Sequence, residues 1–179
     1  ASIKDPVVNQ LFRECQVRIT SIALLHETLH RSHDLSRIKM GDYIRTLTGH
    51  LFRSYGVDPT LISLELNVDD VEFDIDTGLT CGLIIDELVS NCLKHAFIDD
   101  NGGTVHIDLL DHVDGTFTLC VSDNGIGIPK DGVLNNPDSL GLELVTLLAE
   151  KLDGSTELRS GAGTEWQIRF QQLQYSERV

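Results

Sequence analysis

Apolar positions near the start of the chain recur at steps of three and four residues. Nine positions between residues 7 and 31 form one narrow, continuous stripe: Val8, Leu11, Phe12, Cys15, Ile19, Ile22, Ala23, His26 and Leu29. This spacing predicts a long amphipathic helix, and such a narrow stripe is typical of the seam of a helical hairpin or dimer. A second helix is predicted over 42–55, with Asp42 as its N-cap and Gly56 just past its end.

Farther along, the pattern changes from helical to strand-like periodicity. Residues 62–68 and 71–75 alternate between apolar and polar side chains, so each is predicted to be a strand that buries one face. The remaining predicted elements are a helix over about 78–97 capped by Thr77, strands over 104–110 and 116–122, a helix near 139–152, and a hairpin around 161–163.

This order of elements predicts an α/β fold. We expect a two-layer sandwich with a mixed, mostly antiparallel sheet, helices on one face, and an N-terminal helical arm. We assign the arm to residues 1–40 and the sandwich to residues 41–179.

Composition narrows the possible function classes. The formal net charge of −14 argues against nonspecific binding to nucleic acid or to anionic membranes, because such binding depends on Lys and Arg. No apolar run approaches the roughly 18 residues of a membrane span, and no secretory leader is visible. The four cysteines form no CxxC pair, which favours reduced thiols in a cytoplasmic protein. Because the sequence does not begin with Met, we expect a fragment of a longer chain.

The first candidate for chemistry is a glycine loop that follows an apolar, strand-like run. The run over 117–121 leads to Asp123, which is followed by Gly125 and Gly127. A buried strand that delivers an aspartate to such a loop predicts a ligand pocket, because glycine lets the backbone approach another group closely. The alternative is a tight turn between two strands, since Asn-Gly is a common hairpin signal.

The second candidate is a polar ridge on the predicted helix over 78–97. Glu87, Asn91 and Lys94 lie at i, i+4 and i+7 and nearly line up, opposite an apolar face. Such a ridge is most often a solvated surface. Its carboxylate, carboxamide and ammonium groups also suit a hydrated Mg²⁺ and a phosphate, because Mg²⁺ prefers oxygen ligands and keeps several waters.

Two further glycine-containing stretches follow. Ser139, Leu140, Gly141 and Leu142 form a predicted helix start, whose backbone N–H groups and dipole favour an anion; an ordinary helix start with a packing glycine is the alternative. The other stretch, residues 161–164, is by default a hairpin turn.

Taken in order, these four stretches resemble the nucleotide-binding boxes of the GHKL ATPase superfamily, which groups gyrase-like, Hsp90-like and MutL-like ATPases with histidine kinases. Residues 87–96 resemble its N box, 123–127 its first glycine box, 139–142 its second glycine box, and 161–164 its Gly-Thr turn. The resemblance covers about residues 61–170 and implies the Bergerat-type ATP-binding fold.

The resemblance can be narrowed to one group of kinases. Residues 18–29 are similar to the second dimerisation helix of bacterial sensor histidine kinases of the HisKA_2/HWE-like group, and residues 81–91 and 94–97 fit the same group. The short stretch between the glycine boxes, residues 129–138, resembles the lid of these kinases. The chain is thereby expected to be the catalytic part of a protein-histidine kinase.

The resemblance also implies roles for individual residues. Asp123 should accept a hydrogen bond from the adenine amino group, and Asn91 should hold a Mg²⁺ that bridges the phosphates of ATP. Glu87 should orient a metal-bound water or the attacking group. The other implied ATP-binding residues are Lys94 and His95 near the phosphates, Gly125, Gly127, Ile128, Ser139, Leu140, Gly141 and Leu142 along the nucleotide, and Thr164 at the adenine end. Lys130 in the lid could reach the γ-phosphate.

The resemblance further implies partners. The intact kinase should form a homodimer through the helical arm and pass phosphate to the receiver domain of a response regulator. The His-Arg-x-Lys-Asn-Asn-like acceptor motif of this group is absent, so the acceptor histidine is expected upstream of Ala1. His26, followed by Glu27, superficially resembles the acceptor pair of other histidine kinases, but we expect it to have a packing or interface role. We expect neither His30 nor His33 to be an acceptor.

Two other functions remain open. One is another GHKL ATPase or a serine kinase of the anti-sigma-factor type, and the other is a non-enzymatic nucleotide-binding dimerisation module. The sequence identifies neither the sensed signal nor the cognate response regulator.

Overall fold

The structure is a computed structural model that describes residues 19–20, 23, 37–97, 102–128 and 139–172, without the side chains of Ser139 and Leu140. Of the helix predicted over 7–31, Ile19, Thr20 and Ala23 are helical. The remainder of that prediction lies outside the described residues, as do His26, His30, His33 and the predicted lid over 129–138.

A five-stranded sheet forms one layer of the molecule. Its strands are β2 (Ile62–Val68), β4 (Gly103–Asp111), β5 (Thr116–Asp123), β6 (Ser155–Gly161) and β7 (Gly163–Gln171), in the spatial order β2-β4-β5-β7-β6. Only the β2–β4 pair in this sheet is parallel; the other three pairs are antiparallel. The predicted mixed, mostly antiparallel sheet is therefore confirmed.

The alternation of buried and less buried side chains along the central strands creates the core. Alternate residues of β4, β5 and β7 point towards the helices and are almost fully buried: Val105, Ile107, Leu109, Leu119, Val121, Ile168 and Phe170. Because side chains alternate between the faces of a strand, the intervening residues lie on the opposite, open face of the sheet.

Three helices form the second layer: α1 (Met40–Ser54), α2 (Ile75–Asn91) and α3 (Ser139–Lys151). The central helix, α2, packs against both α1 and α3. Its predicted apolar face is buried in the core, as shown by the exposure of at most 8% for Ile84, Ile85, Leu88, Val89, Cys92 and Ala96. The predicted two-layer sandwich is confirmed.

The helix starts differ from the sequence prediction. Helix α1 begins at Met40, with Lys39 rather than Asp42 at the N-cap, and the Met40 N–H donates to the carbonyl of Val71 at 3.1 Å. A distant backbone carbonyl thus satisfies one of the N–H groups at the helix start that have no partner within the helix. The predicted end of α1 is correct, since Gly56 has φ of +64°, the conformation that favours glycine after a helix.

Helix α2 begins earlier than predicted because Asp74, not Thr77, is its N-cap. The Asp74 carboxylate accepts the Thr77 N–H at 2.9 Å and the Thr77 hydroxyl at 2.7 Å. Partial burial raises the pKa of the Asp74 carboxyl, but the hydrogen bonds from Thr77, Gln172 and the Asp76 backbone outweigh it, so the pKa lies below its ordinary value. Ile75, predicted as the end of a strand, is instead the first residue of the helix.

The strand predicted over 71–75 is shorter and lies in a separate sheet. Strand β3 (Glu72–Asp74) pairs with β1 (Arg37–Lys39), a strand that the sequence analysis did not predict. The two strands bury Ile38 and Phe73. Three residues are too few to show a periodic pattern, which explains why β1 was missed.

Candidate functional site

Helix α2 ends in one π-helical turn rather than as a regular α-helix. The turn covers Cys92–Ala96 and contains Lys94 and His95. The carbonyl of Ala96 accepts the N–H of Ile126 at 3.0 Å, so the end of this helix is bound to the glycine loop. Single π turns inside helices frequently occur at functional sites, and this one connects two of the stretches singled out in the sequence.

The polar side of α2 is largely withdrawn from solvent rather than solvated: Glu87 of the predicted ridge is buried, and Asn91 and Lys94 are half-buried. Asp86 is 2% exposed, and Glu87 and Ser90 are each 7% exposed. Asp86 lies near Tyr43 of α1: burial raises the pKa of the Tyr43 hydroxyl, and the charge of Asp86 raises it further. On this side of α2, Asp86 therefore lies towards α1, whereas Glu87 lies towards the start of α3.

The start of α3 lies directly against the polar ridge. A Cβ atom added to Gly141 would lie 2.7 Å from Glu87 Oε2 and 4.0 Å from Asn91 Nδ2. Any side chain at position 141 would therefore press on the Glu87 carboxylate. The structure brings together Glu87, Asn91 and Gly141, which come from two stretches about fifty residues apart in the sequence.

Asp123 ends β5 and is 8% exposed. Its Oδ1 accepts the Gly125 N–H at 2.9 Å, and its Oδ2 accepts the Cys92 thiol at a sulfur–oxygen distance of 3.4 Å. Burial raises the pKa of the Cys92 thiol well above its ordinary value, and the neighbouring Asp123 carboxylate raises it further. The sequence analysis missed Cys92 because it read this position only as part of the apolar face.

The glycines of the loop fit against protein backbone. A Cβ at Gly125 would collide with the carbonyl oxygen of Ala96, and one at Gly127, whose φ is +70°, would lie 2.6 Å from the carbonyl oxygen of Gly161. The Ile128 N–H donates to Ser160 Oγ at 2.8 Å. The space on the Cβ side of these glycines is therefore filled by the π turn and by the β6–β7 hairpin.

That hairpin also brings Thr164 to Asp123. The two residues are direct partners in the antiparallel β5–β7 pair, so their side chains lie on the same face of the sheet. A Cβ at Gly163, where φ is +108°, would collide with the carbonyl oxygen of Asp123. Glycine at this position allows the hairpin to pack against the end of β5.

Lys94 and His95 have different surroundings. The Lys94 ammonium lies over the ring of Tyr55, 5.9 Å from its centroid, a distance suited to a cation–π interaction. His95 is exposed. Leu142 is partly buried and packs against the core. Ser139 and Leu140 are helical, and their predicted roles, like those of Lys94 and His95, remain predictions.

The donor chemistry at Glu87 and Asn91 fits Mg²⁺. The described residues contain no group of three or more His, Cys, Asp or Glu side chains that could hold a metal alone. One or two protein oxygens suffice for Mg²⁺ when phosphates and waters complete the shell. The Glu87 carboxylate and the Asn91 carboxamide each carry such an oxygen, and the atoms nearest to a Cβ at position 141 are Glu87 Oε2 and Asn91 Nδ2.

Comparison with known proteins identifies the class. Residues 78–174 match the family of histidine kinase-, DNA gyrase B- and HSP90-like ATPases, and the chain belongs to this family. Residues 1–55 match a second family model, described as histidine kinase. Together the two matches confirm the resemblance to sensor histidine kinases that the sequence motifs predicted.

Individual relatives agree with this assignment. The chain is 32% identical to the sensor histidine kinase PdtaS of Mycobacterium tuberculosis over 157 residues, which are 85% of this chain and 30% of the relative. It is 31% identical to the blue-light-activated histidine kinase 2 of Erythrobacter litoralis over 104 residues, or 58% of this chain and 30% of the relative. The chain thus spans about 30% of the length of these relatives.

A solved structure supports the fold. The histidine kinase domain of the Erythrobacter litoralis EL346 blue-light-activated histidine kinase superposes with a TM-score of 0.76 at 23% sequence identity. The match covers 88% of this chain and 74% of that one. Among the helices in the described part of the chain, none combines the length and the apolar character needed to cross a membrane.

Proposed function

We propose that this chain is the ATP-binding catalytic part of a two-component sensor histidine kinase. The observation that carries the proposal is the convergence of two contacts on residues 87–92 of the central helix. Asp123 is bound to Cys92 at one end of this segment, and Gly141 lies against Glu87 at the other. The Asp123 carboxylate for the nucleobase is thus held against the same short stretch that carries Glu87 and Asn91 for a metal–phosphate group.

The proposed roles follow this arrangement. Asp123 accepts the adenine amino group, since each of its oxygens holds one protein donor and retains capacity for another. Thr164 lies beside it at the same end. Asn91 holds Mg²⁺, whose charge neutralises the phosphates of ATP when it is bound. Glu87 orients the attacking group. The partial positive charge at the start of α3, at Gly141, favours an anion.

The larger assembly follows from the family and is likewise proposed. The γ-phosphate is transferred to a histidine upstream of Ala1 and then to the receiver domain of a response regulator. The helical arm over 1–40 forms a homodimer, and residues 41–179 form the catalytic unit. We place the protein in the cytoplasm, in keeping with the free thiols of Cys81, Cys92 and Cys120.

Nucleotide binding provides the first test. Titration calorimetry with Mg²⁺ should detect ATP binding and much weaker GTP binding, because guanine presents an acceptor where adenine presents the amino group. Asp123→Asn should weaken ATP binding by about tenfold or more, since a hydrogen bond to a charged group contributes about 1.5–3 kcal/mol. Unchanged ATP affinity in this variant would refute the role of Asp123.

Phosphate transfer provides the second test. The chain alone should bind Mg-ATP without labelling itself from [γ-³²P]ATP. A longer chain that carries the upstream acceptor histidine should acquire acid-labile phosphate. Acid-labile label on His26 would place the acceptor within this chain, and acid-stable phosphoserine on a partner would favour the serine-kinase alternative. Absence of ATP binding would favour the non-enzymatic module.

A further inference from the structure

Cys92 occupies a junction in the proposed site. It is the first residue of the π turn and directly follows Asn91. Cys92 is buried, with 8% exposure. Its sulfur lies 3.4 Å from Oδ2 of Asp123, which is 31 residues later in the chain. The thiol therefore connects the end of the central helix to the end of β5.

This contact completes the support of the Asp123 carboxylate. The Gly125 N–H holds Oδ1 and the Cys92 S–H holds Oδ2, so a donor on each oxygen fixes the rotation of the carboxylate plane. The side chains of Asp and Glu are otherwise broad in this terminal torsion. A ligand donor that approaches Asp123 then meets a lone pair whose direction is already set.

The Cys92 thiol is placed to donate to Asp123. A carboxylate oxygen has lone pairs and no hydrogen, so the S–H is the donor in the 3.4 Å contact between Cys92 Sγ and Asp123 Oδ2. Sulfur is a weak donor, so we expect a moderate effect on geometry and affinity.

We propose that Cys92 is a positioning residue for nucleotide binding: it orients the Asp123 carboxylate, and the preference for adenine, which carries an amino group where guanine and hypoxanthine carry a carbonyl, depends on it. This inference rests on the proposed function, because it takes Asp123 to be the acceptor of that amino group. It adds a specificity-determining residue that does not itself contact the nucleotide.

The test compares ATP with inosine triphosphate, which carries a carbonyl in place of the adenine amino group. Calorimetry on the full chain with Mg²⁺ gives the ratio of the two dissociation constants. We expect Cys92→Ala to reduce the ATP preference by about threefold to tenfold, the loss equivalent to one modest hydrogen bond. Cys92→Ser, which restores a donor, should recover most of the preference.

Cys81→Ala is the matched control. Cys81 is a fully buried thiol on α2, the helix that leads into the π turn, and the carboxylate that acts on it is that of Asp74. This variant should lower the melting temperature as Cys92→Ala does while leaving the nucleotide preference unchanged. A purely structural role of Cys92 would weaken both nucleotides equally and leave their ratio at the wild-type value, which would overturn the inference.

A direct measurement keeps the proposal testable if Cys92→Ala fails to fold. The infrared S–H stretching band of the wild-type protein should contain a component shifted by hydrogen bonding. Asp123→Asn should move that component, and an unmoved band would refute the contact. Failure of the proposed function has a different signature, since wild-type protein would then show no ATP binding or no preference for ATP over inosine triphosphate.

Discussion

Substitution of Gly141 by alanine separates stability from catalysis in this fold. The new methyl carbon would lie 2.7 Å from Glu87 Oε2, well inside the roughly 3.5 Å at which non-bonded heavy atoms pack best. The carboxylate must therefore move by roughly 0.8 Å, and as the end of a flexible side chain it can do so without unfolding the helix. Alanine also favours the helix by up to about 1 kcal/mol relative to glycine.

We therefore expect Gly141→Ala to fold with a free energy of unfolding within about 1 kcal/mol of wild type. Its rate of phosphate transfer should be roughly tenfold to a hundredfold lower, because a displacement near 1 Å in a catalytic group can cost about a hundredfold. The assay is single-turnover transfer from [γ-³²P]ATP in a chain that includes the acceptor histidine, with urea denaturation for stability.

Gly41→Ala is the matched control. Gly41 lies in the first turn of α1, as Gly141 lies in the first turn of α3, and an added Cβ would meet nothing within 4 Å. Its transfer rate should equal the wild-type rate. If Gly141→Ala transfers phosphate as fast as Gly41→Ala, then Glu87 is not the positioned group that we propose.

Two further predictions concern stability. Asp74→Asn should destabilise the protein by about 1 kcal/mol in urea denaturation, because an amide has one acceptor oxygen, whereas both carboxylate oxygens accept hydrogen bonds from Thr77. Since the pKa of Asp74 in the folded state lies below its ordinary value of 3.8, the stability that its carboxylate contributes is present above that pH and is lost as pH falls through the folded pKa. An Asp74→Asn variant whose free energy of unfolding varies with acid pH as it does in the wild type would contradict this. Gly127→Ala should destabilise by more than Gly56→Ala: both residues have positive φ, but only at Gly127 does an added Cβ meet backbone oxygen, at 2.6 Å, whereas Gly56 has free space. Equal losses of melting temperature in the two variants would show that backbone conformation alone matters.

The sequence predicted the local elements well where a pattern extended over many residues. Strand β2 was predicted with its observed bounds, and the apolar face of α2 followed from its helical periodicity. The glycine after α1 was also correct, since positive φ is a local property of the backbone. Errors occurred at the two helix starts. Helix α1 was predicted to be capped by Asp42, but it begins at Met40, whose N–H donates to the Val71 carbonyl. Helix α2 was predicted to be capped by Thr77, but its cap is Asp74.

The sequence by itself determined the order of elements and the residue types of the four boxes, because these are properties of spacing along one chain, and the resemblance of the boxes to known proteins indicated the family. Only the tertiary structure decided that Glu87 of the polar ridge is buried, that Gly141 lies against Glu87, and that Cys92 holds Asp123. Each of these features is a contact between side chains or backbone groups far apart in the sequence. Such contacts exist only after the sheet and helices have packed, and no local pattern records them.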